Sequence, residues 1–397
     1  ATPDAALPGV GKVWLKTWGC SHNVSDSEYM AGQLAAFGFE IVEGDAEKMN
    51  ADAWLLNSCT VKDPSQAAFV NLLKAGRDRS PPMPLVLAGC VPQAERKLKE
   101  LDGLGDGVSL VGVAQLERVV EVVERTIRGE CVRLLGKRAG QLPALSLPKV
   151  RRNQLVEILP LSTGCLGACT YCKTRHARGK LGSYPLEDLL ERVHAAIDDG
   201  VTEIWLSSED TGAYGIDLGI SFSTLLRRLC KILEGTDVML RLGMTNPPYM
   251  LEQLPAIATA LNHPNCFEFL HVPVQAGSDA VLEAMNREYT RSEFETVATE
   301  LLAAVPGLTL ATDVICGFPG ETEQDFDETM ALVDKFKFPV LNISQFYPRP
   351  GTPAAKMRRV PNGVAKSRSR RLTRYFETLD PLKALMGQEV DVWVNTE

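Results

Sequence analysis

Hydrophobic and polar positions in residues 12–128 alternate between short apolar runs and longer amphipathic stretches. The apolar runs have the length of buried strands and read "KVWLKTW", "AWLLNS", "MPLVLAG" and "GVSLVGV". The stretches between and after them have helical periodicity, over residues 26–37, 65–77, from about 93, and 116–128. Strands that alternate with helices in this way predict a doubly wound α/β domain with a parallel sheet.

The alternation restarts at Leu155 and continues through six candidate strands. They read "LVEILPL", "EIWLSS", "VMLRLGM", "FEFLHVPV", "LTLATDVICG" and "LNISQFY". Six strands with helical crossovers predict a partial (β/α)6 barrel of the TIM type, with its chemistry at the carboxyl ends of the strands. A basic helix follows, and "GQEVDVWVN" then predicts the first strand of another domain.

These patterns divide the chain into five parts. The predicted parts are a first α/β domain, a polar linker, the barrel, a connecting helix and the start of a β-barrel, over residues 10–132, 133–152, 153–355, 356–386 and 387–397.

Composition limits the class of protein. The chain has 397 residues, 45% of them hydrophobic, without an apolar run of the roughly 20 residues that a membrane span needs. We expect a cytoplasmic monomer without membrane contact in this sequence, and an anchor to the endoplasmic reticulum through a further C-terminal tail stays open. Ten cysteines in a chain of this length indicate a reducing compartment, with thiols free or on metal.

Charge gives a weaker signal. The net charge of −8 argues against a generally basic surface for nucleic acid. Two basic patches nevertheless occur, over residues 133–152 and 349–374. Either patch is equally well explained as a solvated linker, because blocks of like charge are often loops or tails.

Three cysteines stand close together after the first strand of the barrel. In "STGCLGACTYCKTRHARGK" they are Cys165, Cys169 and Cys172, at offsets typical of a metal site. A structural zinc site would need a fourth protein ligand, and none lies at finger spacing nearby. Three thiolates on a 4Fe-4S cluster would leave one iron open to an external ligand.

A second set of three cysteines is dispersed through the first domain. Cys20, Cys59 and Cys90 each follow a predicted strand, "KVWLKTW", "AWLLNS" and "MPLVLAG". An open α/β sheet has its ligand crevice at the carboxyl ends of its strands. The shared position therefore predicts a second cluster with an open iron, although a lone cysteine is more often inert core.

These motifs carry a family resemblance over nearly the whole chain. The cysteine spacing with Tyr171 before the last cysteine resembles the radical S-adenosylmethionine superfamily. The segments "KTWGCSHNVSDSE", "LNSCTVKDPS" and "VLAGCVPQ" resemble the N-terminal domain of methylthiotransferases. The run "TGCLGACTYCKTRHARGKLGSYP", with "SSEDTGAYG", "HVPVQAGSD", "DVICGFPGE" and "FYPRPGTPAAKM", is most similar to the threonylcarbamoyladenosine tRNA methylthiotransferases.

The resemblance implies a reaction and its cofactors. It implies two 4Fe-4S clusters and S-adenosylmethionine, which binds the open iron of the barrel cluster and yields a 5′-deoxyadenosyl radical, while the other cluster carries the sulfur. The product would be a 2-methylthio group on N6-threonylcarbamoyladenosine beside the tRNA anticodon. Partners would be that tRNA and an electron donor, and the C-terminal domain would be an RNA-binding barrel of the TRAM type. Asn23 and Asp63 fall within the family motifs and are carried over as catalytic candidates.

Further candidates for S-adenosylmethionine are Tyr171, which belongs to the family motif, and residues on or after the strands of the barrel. The latter are Glu209, Asp210, Arg241, Gln275, Ser278, Gly317 and Gly320, with Arg241 expected to pair with the cofactor carboxylate. For phosphates or the threonyl carboxylate they are Lys173, Arg175, His176 and Arg349, with Arg178 and Lys180 in the same loop. Each is also a common cap, turn or solvated loop residue.

Other functions remain open at this point. Within the same chemistry, the substrate is alternatively isopentenyladenosine or a ribosomal protein side chain. In a different class, the chain is a non-catalytic zinc protein that binds tRNA through its basic patches. Cys131, Cys230, Cys266 and Cys316 join no constellation, and we interpret them as structural.

Overall fold

The computed structural model describes residues 9–60, 63–94, 108–136, 142–380, 383–389 and 392–394. The strands are β1 (Lys12–Thr17), β2 (Glu40–Val42), β3 (Ala53–Ser58), β4 (Leu85–Gly89), β5 (Val108–Val111), β6 (Arg133–Leu134), β7 (Val156–Pro160), β8 (Ser162–Thr163), β9 (Gly182–Ser183), β10 (Glu203–Ser207), β11 (Met239–Arg241), β12 (Phe269–His271), β13 (Thr309–Cys316) and β14 (Val340–Gln345).

The α-helices are α1 (Ser21–Phe37), α2 (Asp63–Arg77), α3 (Cys90–Ala94), α4 (Val119–Ile127), α5 (Thr174–Arg178), α6 (Leu186–Asp198), α7 (Phe222–Leu233), α8 (Leu254–Leu261), α9 (Asp279–Ala284), α10 (Arg291–Ala304), α11 (Glu323–Phe336) and α12 (Asn362–Leu379). Short 3-10 helices occupy Glu47–Met49, Val113–Arg118, Thr211–Ala213, Ile216–Leu218, Pro247–Tyr249, Leu251–Gln253, Ala354–Lys356 and Lys383–Leu385. None of the described helices combines the length and the apolar character that crossing a membrane requires.

The first sheet is parallel, with the strand order β2-β1-β3-β4-β5-β6. Its central strands are apolar on both faces, as a doubly covered parallel sheet requires. Along β3, Leu55 belongs to one core cluster while Trp54 and Leu56 belong to the other. The winding of the chain reverses between β1 and β3, and in open α/β sheets this switch point is where ligands bind.

The predicted linker differs from the structure. Its first residues form β6, which adds to the edge of the first sheet beside β5. Its later residues lie along α1, where Lys149 and Glu28 form a buried ion pair of 3.2 Å and the Val150 N–H donates to the Glu28 carbonyl. Gly32 of α1 has no room for a side chain, because an added Cβ would lie 2.2 Å from the Pro148 oxygen. Residues 142–152 are therefore a packed strap.

All six predicted barrel strands are present. They form two sheets of three strands, in the orders β11-β10-β7 and β12-β13-β14. The pairs β10–β11, β12–β13 and β13–β14 are parallel, and a parallel bridge between Leu240 and Cys266 connects the two sheets. The expected α/β class with parallel sheets is thus confirmed, with a barrel that is divided between β11 and β12. No strand occurs in the described residues 387–389 and 392–394, where a further domain was predicted to begin.

The chain forms two compact units whose boundaries differ from the predicted domain boundary. The first consists of the described residues of Ala1–Gln154, Ile158–Cys165 and Lys173–Tyr184, and the second of those of Leu155–Glu157, Leu166–Cys172 and Pro185–Glu397. The sequence motif of Cys165, Cys169 and Cys172 is therefore divided, with Cys165 in the first unit and the other two in the second.

Candidate functional site

The dispersed cysteines lie at the ends of three neighbouring strands of the first sheet. In the register of β1, β3 and β4, Thr17 is beside Asn57 and Ser58 is beside Gly89. Cys59 and Cys90 directly follow these paired ends, and Cys20 lies between β1 and α1, directly before the first residue of the helix. The structure thus brings the predicted set to one edge of the sheet, at the switch point.

Two glycines make this arrangement possible. Gly19 has a φ of +108°, and an added Cβ would lie 2.6 Å from the Cys59 Sγ. Gly89 has a φ of +89°, and its Cβ would lie 2.4 Å from the Ser58 oxygen. Only glycine adopts these angles without cost, so each glycine lets a cysteine-bearing turn approach its neighbour.

The dispersed cysteine set has a positive charge close to it. A hydrogen bond from the Cys59 thiol and the nearby positive charge of Arg178 lower the pKa of Cys20 to about 6. Thiolate is the form that ligates metals. Arg178 forms a buried ion pair with Asp26, with 2.6 Å between Nη2 and Oδ2. Burial and the same guanidinium lower the pKa of His22 well below its usual value, which favours neutral imidazole.

Buried amides fix the turns around these cysteines. Asn23, a predicted site residue, donates from Nδ2 to the Trp18 carbonyl at 2.6 Å. Asn57 donates to the Asn23 carbonyl at 2.8 Å and to the Ser27 hydroxyl at 2.7 Å. Asp63 begins α2, and its side chain lies outside the described residues.

The segment that follows the three-cysteine motif packs beside the dispersed set, within the first unit. In α5, Ala177 is buried in one cluster with Cys90 and Val113. Arg178 was expected to meet phosphates, and this expectation is wrong, because its side chain is 3% exposed and is paired with Asp26. The helix therefore supplies a buried cation to the dispersed cysteine set.

Cys165 lies in a tight turn of the first unit. Its N–H donates to the Gly179 carbonyl at 3.2 Å. The preceding Gly164 has a φ of +79°, and a Cβ there would lie 2.2 Å from the Lys180 oxygen. The close approach of these two backbones requires glycine and holds the first cysteine of the motif.

Cys169 and Cys172 belong to a loop that the second unit binds at several points. The Cys172 N–H donates to the Cys169 carbonyl at 3.2 Å, and the Thr170 N–H donates to the Met285 carbonyl at 2.9 Å. The guanidinium of Arg287 donates from Nη1 to the Cys169 Sγ at 3.1 Å. Tyr171 contacts Phe318 edge to face at 6.1 Å, and burial raises the pKa of its phenol.

Several cofactor candidates lie at strand ends of the second unit. Asp210 follows β10 and is buried, and burial raises the pKa of its carboxyl to about 6 against the effect of hydrogen bonds from Asn246. Gln275 has a φ of +70°, which is rare for a residue with a side chain and is often found at functional sites. Its N–H donates to the Asp313 carbonyl at 2.8 Å. Glu209 directly precedes Asp210, and Gly320 has a φ of +90° with open space at its Cβ position.

Three other cofactor candidates have protein neighbours. Arg241 lies between the rings of Trp205 and Phe269, each 4.8 Å from its guanidinium carbon. The Ser278 hydroxyl donates to Asp325 at 2.5 Å. Gly317 has a φ of +75° and lies against α12, where an added Cβ would be 2.3 Å from the Ala365 Cβ. A contact of these residues with S-adenosylmethionine stays a prediction.

The substrate candidates differ in exposure. Lys173 is buried, Arg175 and Arg349 are half-buried, and His176 is exposed. Among the remaining cysteines, burial raises the pKa of Cys230, Cys266 and Cys316. Across the described residues, no three cysteine, histidine, aspartate or glutamate side chains converge as the ligands of a single metal ion do. The cysteine sets are linked by their strand-end positions and their turns.

The sequence did not reveal Asn246 and Arg287 as candidates. Asn246 follows β11 in "GMTNPP", so the rule that selected Asp210 and Gln275 applied to it as well. Arg287 lies in an irregular segment after α9, where neither spacing nor strand position gives a signal. Only the fold brings its guanidinium to Cys169.

Two family models match the chain. The model described as "Radical SAM superfamily" matches residues 159–333, and the model described as "Uncharacterized protein family UPF0004" matches residues 12–110. The first match contains Cys165, Cys169 and Cys172, and the second contains Cys20, Cys59 and Cys90.

Curated relatives are similar over nearly the whole chain. The Homo sapiens protein named "Threonylcarbamoyladenosine tRNA methylthiotransferase" is 54% identical over 401 residues, which cover 99% of this chain and 67% of that protein. Proteins of the same name from Danio rerio and Drosophila melanogaster are 53% and 52% identical, and the chain covers 71% and 70% of their lengths.

Solved structures share the fold at low identity. The radical S-adenosylmethionine methyltransferase TsrM from Kitasatospora setae, solved with cobalamin and a [4Fe-4S] cluster, has a TM-score of 0.61 and 15% identity, over 86% of this chain and 73% of that one. The cobalamin-dependent radical enzyme OxsB has a TM-score of 0.58 and 10% identity, over 94% and 56%.

Proposed function

The chain belongs to the family of threonylcarbamoyladenosine tRNA methylthiotransferases, and from this premise we propose that it converts N6-threonylcarbamoyladenosine in tRNA to the 2-methylthio derivative. The relatives that carry this name match it over 99% of its length. The observation that carries the proposal is the pair of cysteine sets, one at the switch point of the first sheet and one after β7. Replacing an unactivated C–H bond by a C–S bond needs a radical and a sulfur donor. With two cluster sites, one cluster would generate the radical and the other would donate the sulfur.

Cys20, Cys59 and Cys90 would hold one 4Fe-4S cluster. The fit is supported by their positions at adjacent strand ends and by the glycine turns that leave no side chain between them. A hydrogen bond from Cys59 and the nearby cation of Arg178 lower the pKa of Cys20 to about 6, which favours the thiolate form of this cysteine. Asn23 would orient this site, since its side chain fixes the turn before Cys20.

Cys165, Cys169 and Cys172 would hold the second 4Fe-4S cluster. With S-adenosylmethionine bound, this cluster would supply the 5′-deoxyadenosyl radical, and the other site would supply sulfur. The protein's own part is to hold the cysteine loop, through Gly164 and Gly179 in the first unit and through Thr170 and Arg287 in the second.

The cofactor's other groups would meet the strand ends of the second unit. Asp210 and Glu209 after β10 would accept hydrogen bonds from its amine or ribose hydroxyls. Gln275 and Gly320 would offer backbone groups to the adenine. Arg241, Ser278 and Gly317 are further candidates, and each also contacts a side chain of its own unit.

Helix α12 would contribute to tRNA binding. Its basic residues divide into two groups, and Arg368 and Arg371 pair with Glu321 and Glu323. A second group forms the basic stripe, which we define as Lys366, Arg370 and Arg374.

The basic stripe is spaced by four residues along one face of α12 and is exposed. Within the described part of the chain, none of its three members forms an ion pair. Like charges at this spacing destabilise a helix by a few tenths of a kcal/mol per pair. A phosphate backbone would offset that cost.

From the family we further propose a one-electron donor for the radical cluster, a monomeric state, a cytoplasmic location, and a TRAM-type RNA-binding domain that begins near residue 387.

The test separates the two cysteine sets. After anaerobic reconstitution the protein should hold about eight iron atoms, and Cys59→Ala should hold about four. Cys59→Ala should still release 5′-deoxyadenosine but form no methylthio nucleoside, whereas Cys169→Ala should form neither. Cys131→Ser, outside both sets, is the matched control and should behave as the unmodified protein.

Mass spectrometry of tRNA nucleosides is the decisive readout. A methylthio group on isopentenyladenosine, or on a ribosomal protein, would overturn the substrate assignment. Zinc in place of iron would overturn the reaction itself, and full methylthiolation by Cys59→Ala would overturn the role of the dispersed cysteines in it.

A further inference from the structure

Arg287 occupies an unusual position in the second unit, because each of its three guanidinium nitrogens donates to a different partner. Nη1 donates to the Cys169 Sγ at 3.1 Å. Nε donates to the Tyr289 hydroxyl at 3.2 Å, and Nη2 donates to Asn246 Oδ1. A guanidinium engaged on every side presents its N–H to the sulfur in one fixed direction.

The partners of Arg287 are themselves anchored. Asn246 donates from Nδ2 to the buried Asp210 carboxyl at 2.7 Å, and its N–H reaches the other carboxyl oxygen at 3.3 Å. The Tyr289 hydroxyl lies 2.9 Å and 2.8 Å from the carbonyls of Pro273 and Val274. Arg287 is therefore held from the ends of β10 and β11 on one side and from the segment after β12 on the other.

The segment just before Arg287 also binds the cysteine loop. The Thr170 hydroxyl donates to the Ala284 carbonyl at 2.9 Å, and Asn286 donates from Nδ2 to the Ala168 carbonyl at 3.0 Å. The segment 284–287 thus holds the cysteine loop through Ala284 and Asn286 and also carries the guanidinium. The loop contacts therefore fix the position of Cys169 relative to Arg287.

We propose that Arg287 is a positioning residue that raises the reduction potential of the cluster on Cys165, Cys169 and Cys172. This inference rests on the proposed function, since it requires that cluster. A hydrogen bond to a cluster-ligating sulfur and a nearby positive charge both stabilise the more negative, reduced state. One electron enters from an external reductant, without a bond made or broken in the protein. Asn246 and Asp210 act by holding the guanidinium against Cys169.

The test is an EPR-monitored potentiometric titration of the reconstituted full chain with dithionite. The signal that changes when S-adenosylmethionine is added identifies this cluster. Arg287→Gln should lower the ratio of reduced to oxidised cluster about tenfold at a fixed applied potential, which corresponds to ~59 mV for one electron. Arg287→Lys, which keeps the charge and loses the fork, should give an intermediate value.

Arg228→Gln is the matched control, because it removes an exposed guanidinium from α7 of the same unit. Its midpoint should equal that of the unmodified protein. The proposal is overturned if Arg287→Gln keeps its iron and its midpoint, or if Arg228→Gln shifts the midpoint equally.

If Arg287→Gln does not retain the cluster, Asn246→Leu decides, since it leaves Arg287 in place but removes its hold. A lowered midpoint in Asn246→Leu supports the proposal, and an unchanged one contradicts it. An unmodified protein without iron would instead show that the proposed function fails.

Discussion

Single residues without side chains control the geometry of the dispersed cysteine set. At Gly19 the backbone has a positive φ and the Cys59 side chain occupies the space that a Cβ would need. At Gly44 the backbone also has a positive φ, +86°, but no atom lies within 4 Å of the Cβ position. A side chain would be strained by the backbone angle at both glycines, but it would collide with a neighbour only at Gly19.

This pair gives a test at the residue scale. Gly19→Ala should displace Cys59 and reduce the iron content after reconstitution by about four atoms per chain, the content of one cluster. Gly44→Ala should cost about 1 kcal/mol of backbone strain and keep all the iron. Iron analysis beside thermal unfolding separates the two effects. Equal iron contents in the two variants would show that the close approach at Gly19 does not position the cluster site.

Asp210 predicts a dependence of stability on pH. Burial raises the pKa of its carboxyl from 3.8 to about 6, although Asn246 donates hydrogen bonds to it and the charge of Arg287 opposes the shift. The folded state therefore binds the proton more tightly than the unfolded state. The resulting stabilisation is complete below about pH 4 and is lost as the pH rises through about 6.

The measurement compares the unmodified protein with Asp210→Asn, which cannot titrate. Between about pH 4 and pH 7 the free energy of unfolding of the unmodified protein should fall relative to the variant, by up to about 3 kcal/mol. Chemical denaturation at a series of pH values measures the difference. Parallel profiles would contradict a raised pKa at Asp210.

Residue types alone identified some of these positions and missed others. Both cysteine sets could be found from the sequence, because three thiols at the spacing of Cys165, Cys169 and Cys172, and a thiol after each of β1, β3 and β4, are rare in an ordinary core. Their role as cluster ligands stays a prediction. The role of Arg178 was not, since an arginine in a basic loop is usually solvated, and only the packing of α5 buries it beside Asp26.

At the scale of elements, helix α12 divides its cations between structure and surface. Arg368 is 7% exposed and binds both the carbonyl and the carboxylate of Glu321, so it fixes α12 to the segment before α11. The basic stripe lies on the outward side and supports nothing within the described structure. The periodicity of the sequence did not separate the two groups, because their acidic partners lie more than 40 positions away.

Removal of the basic stripe should weaken tRNA binding in a salt-dependent way. Changing Lys366, Arg370 and Arg374 to Gln should lower the slope of log affinity against log salt by about 3, near one unit per phosphate contact. Changing Arg227, Arg228 and Lys231 of α7 is the control with the same charge removed. Filter binding across a salt series measures both, and equal slopes for the two triple variants would contradict the assignment.

For the strap of residues 142–152, composition led to a wrong structural prediction. Its polar, proline-containing sequence predicted a linker, yet Lys149 is 1% exposed and contacts Glu28, the ring of Tyr29 and the carbonyl of Ile158. A buried lysine is stable only when its charge is fully paired, and the partners come from α1 and β7. A local sequence window could not supply them.

At the scale of the whole molecule, each compact unit is assembled from separate stretches of the sequence. The segment Lys173–Tyr184 follows the barrel motif in sequence but belongs to the unit of the first sheet. In this segment Ala177 packs with Cys90, and Arg178 lies close enough to Cys20 to lower its pKa. Residues that directly follow the three-cysteine motif in the sequence therefore surround the dispersed cysteines. A domain boundary placed by composition at residue 153 does not describe this arrangement.

The sequence by itself determined the α/β class, the principal strands of the two predicted α/β modules, the two cysteine sets and the family. Those features depend on local periodicity, on strand ends that meet at one edge of a sheet, and on short motifs, all of which are properties of neighbouring residues. The tertiary structure alone decided that the linker is a packed strap, that Arg178 is a buried ion-pair partner, and that Arg287 donates to Cys169. Each of these depends on a charged side chain finding its partner far along the chain, and burial decides such pairings only after the fold has formed.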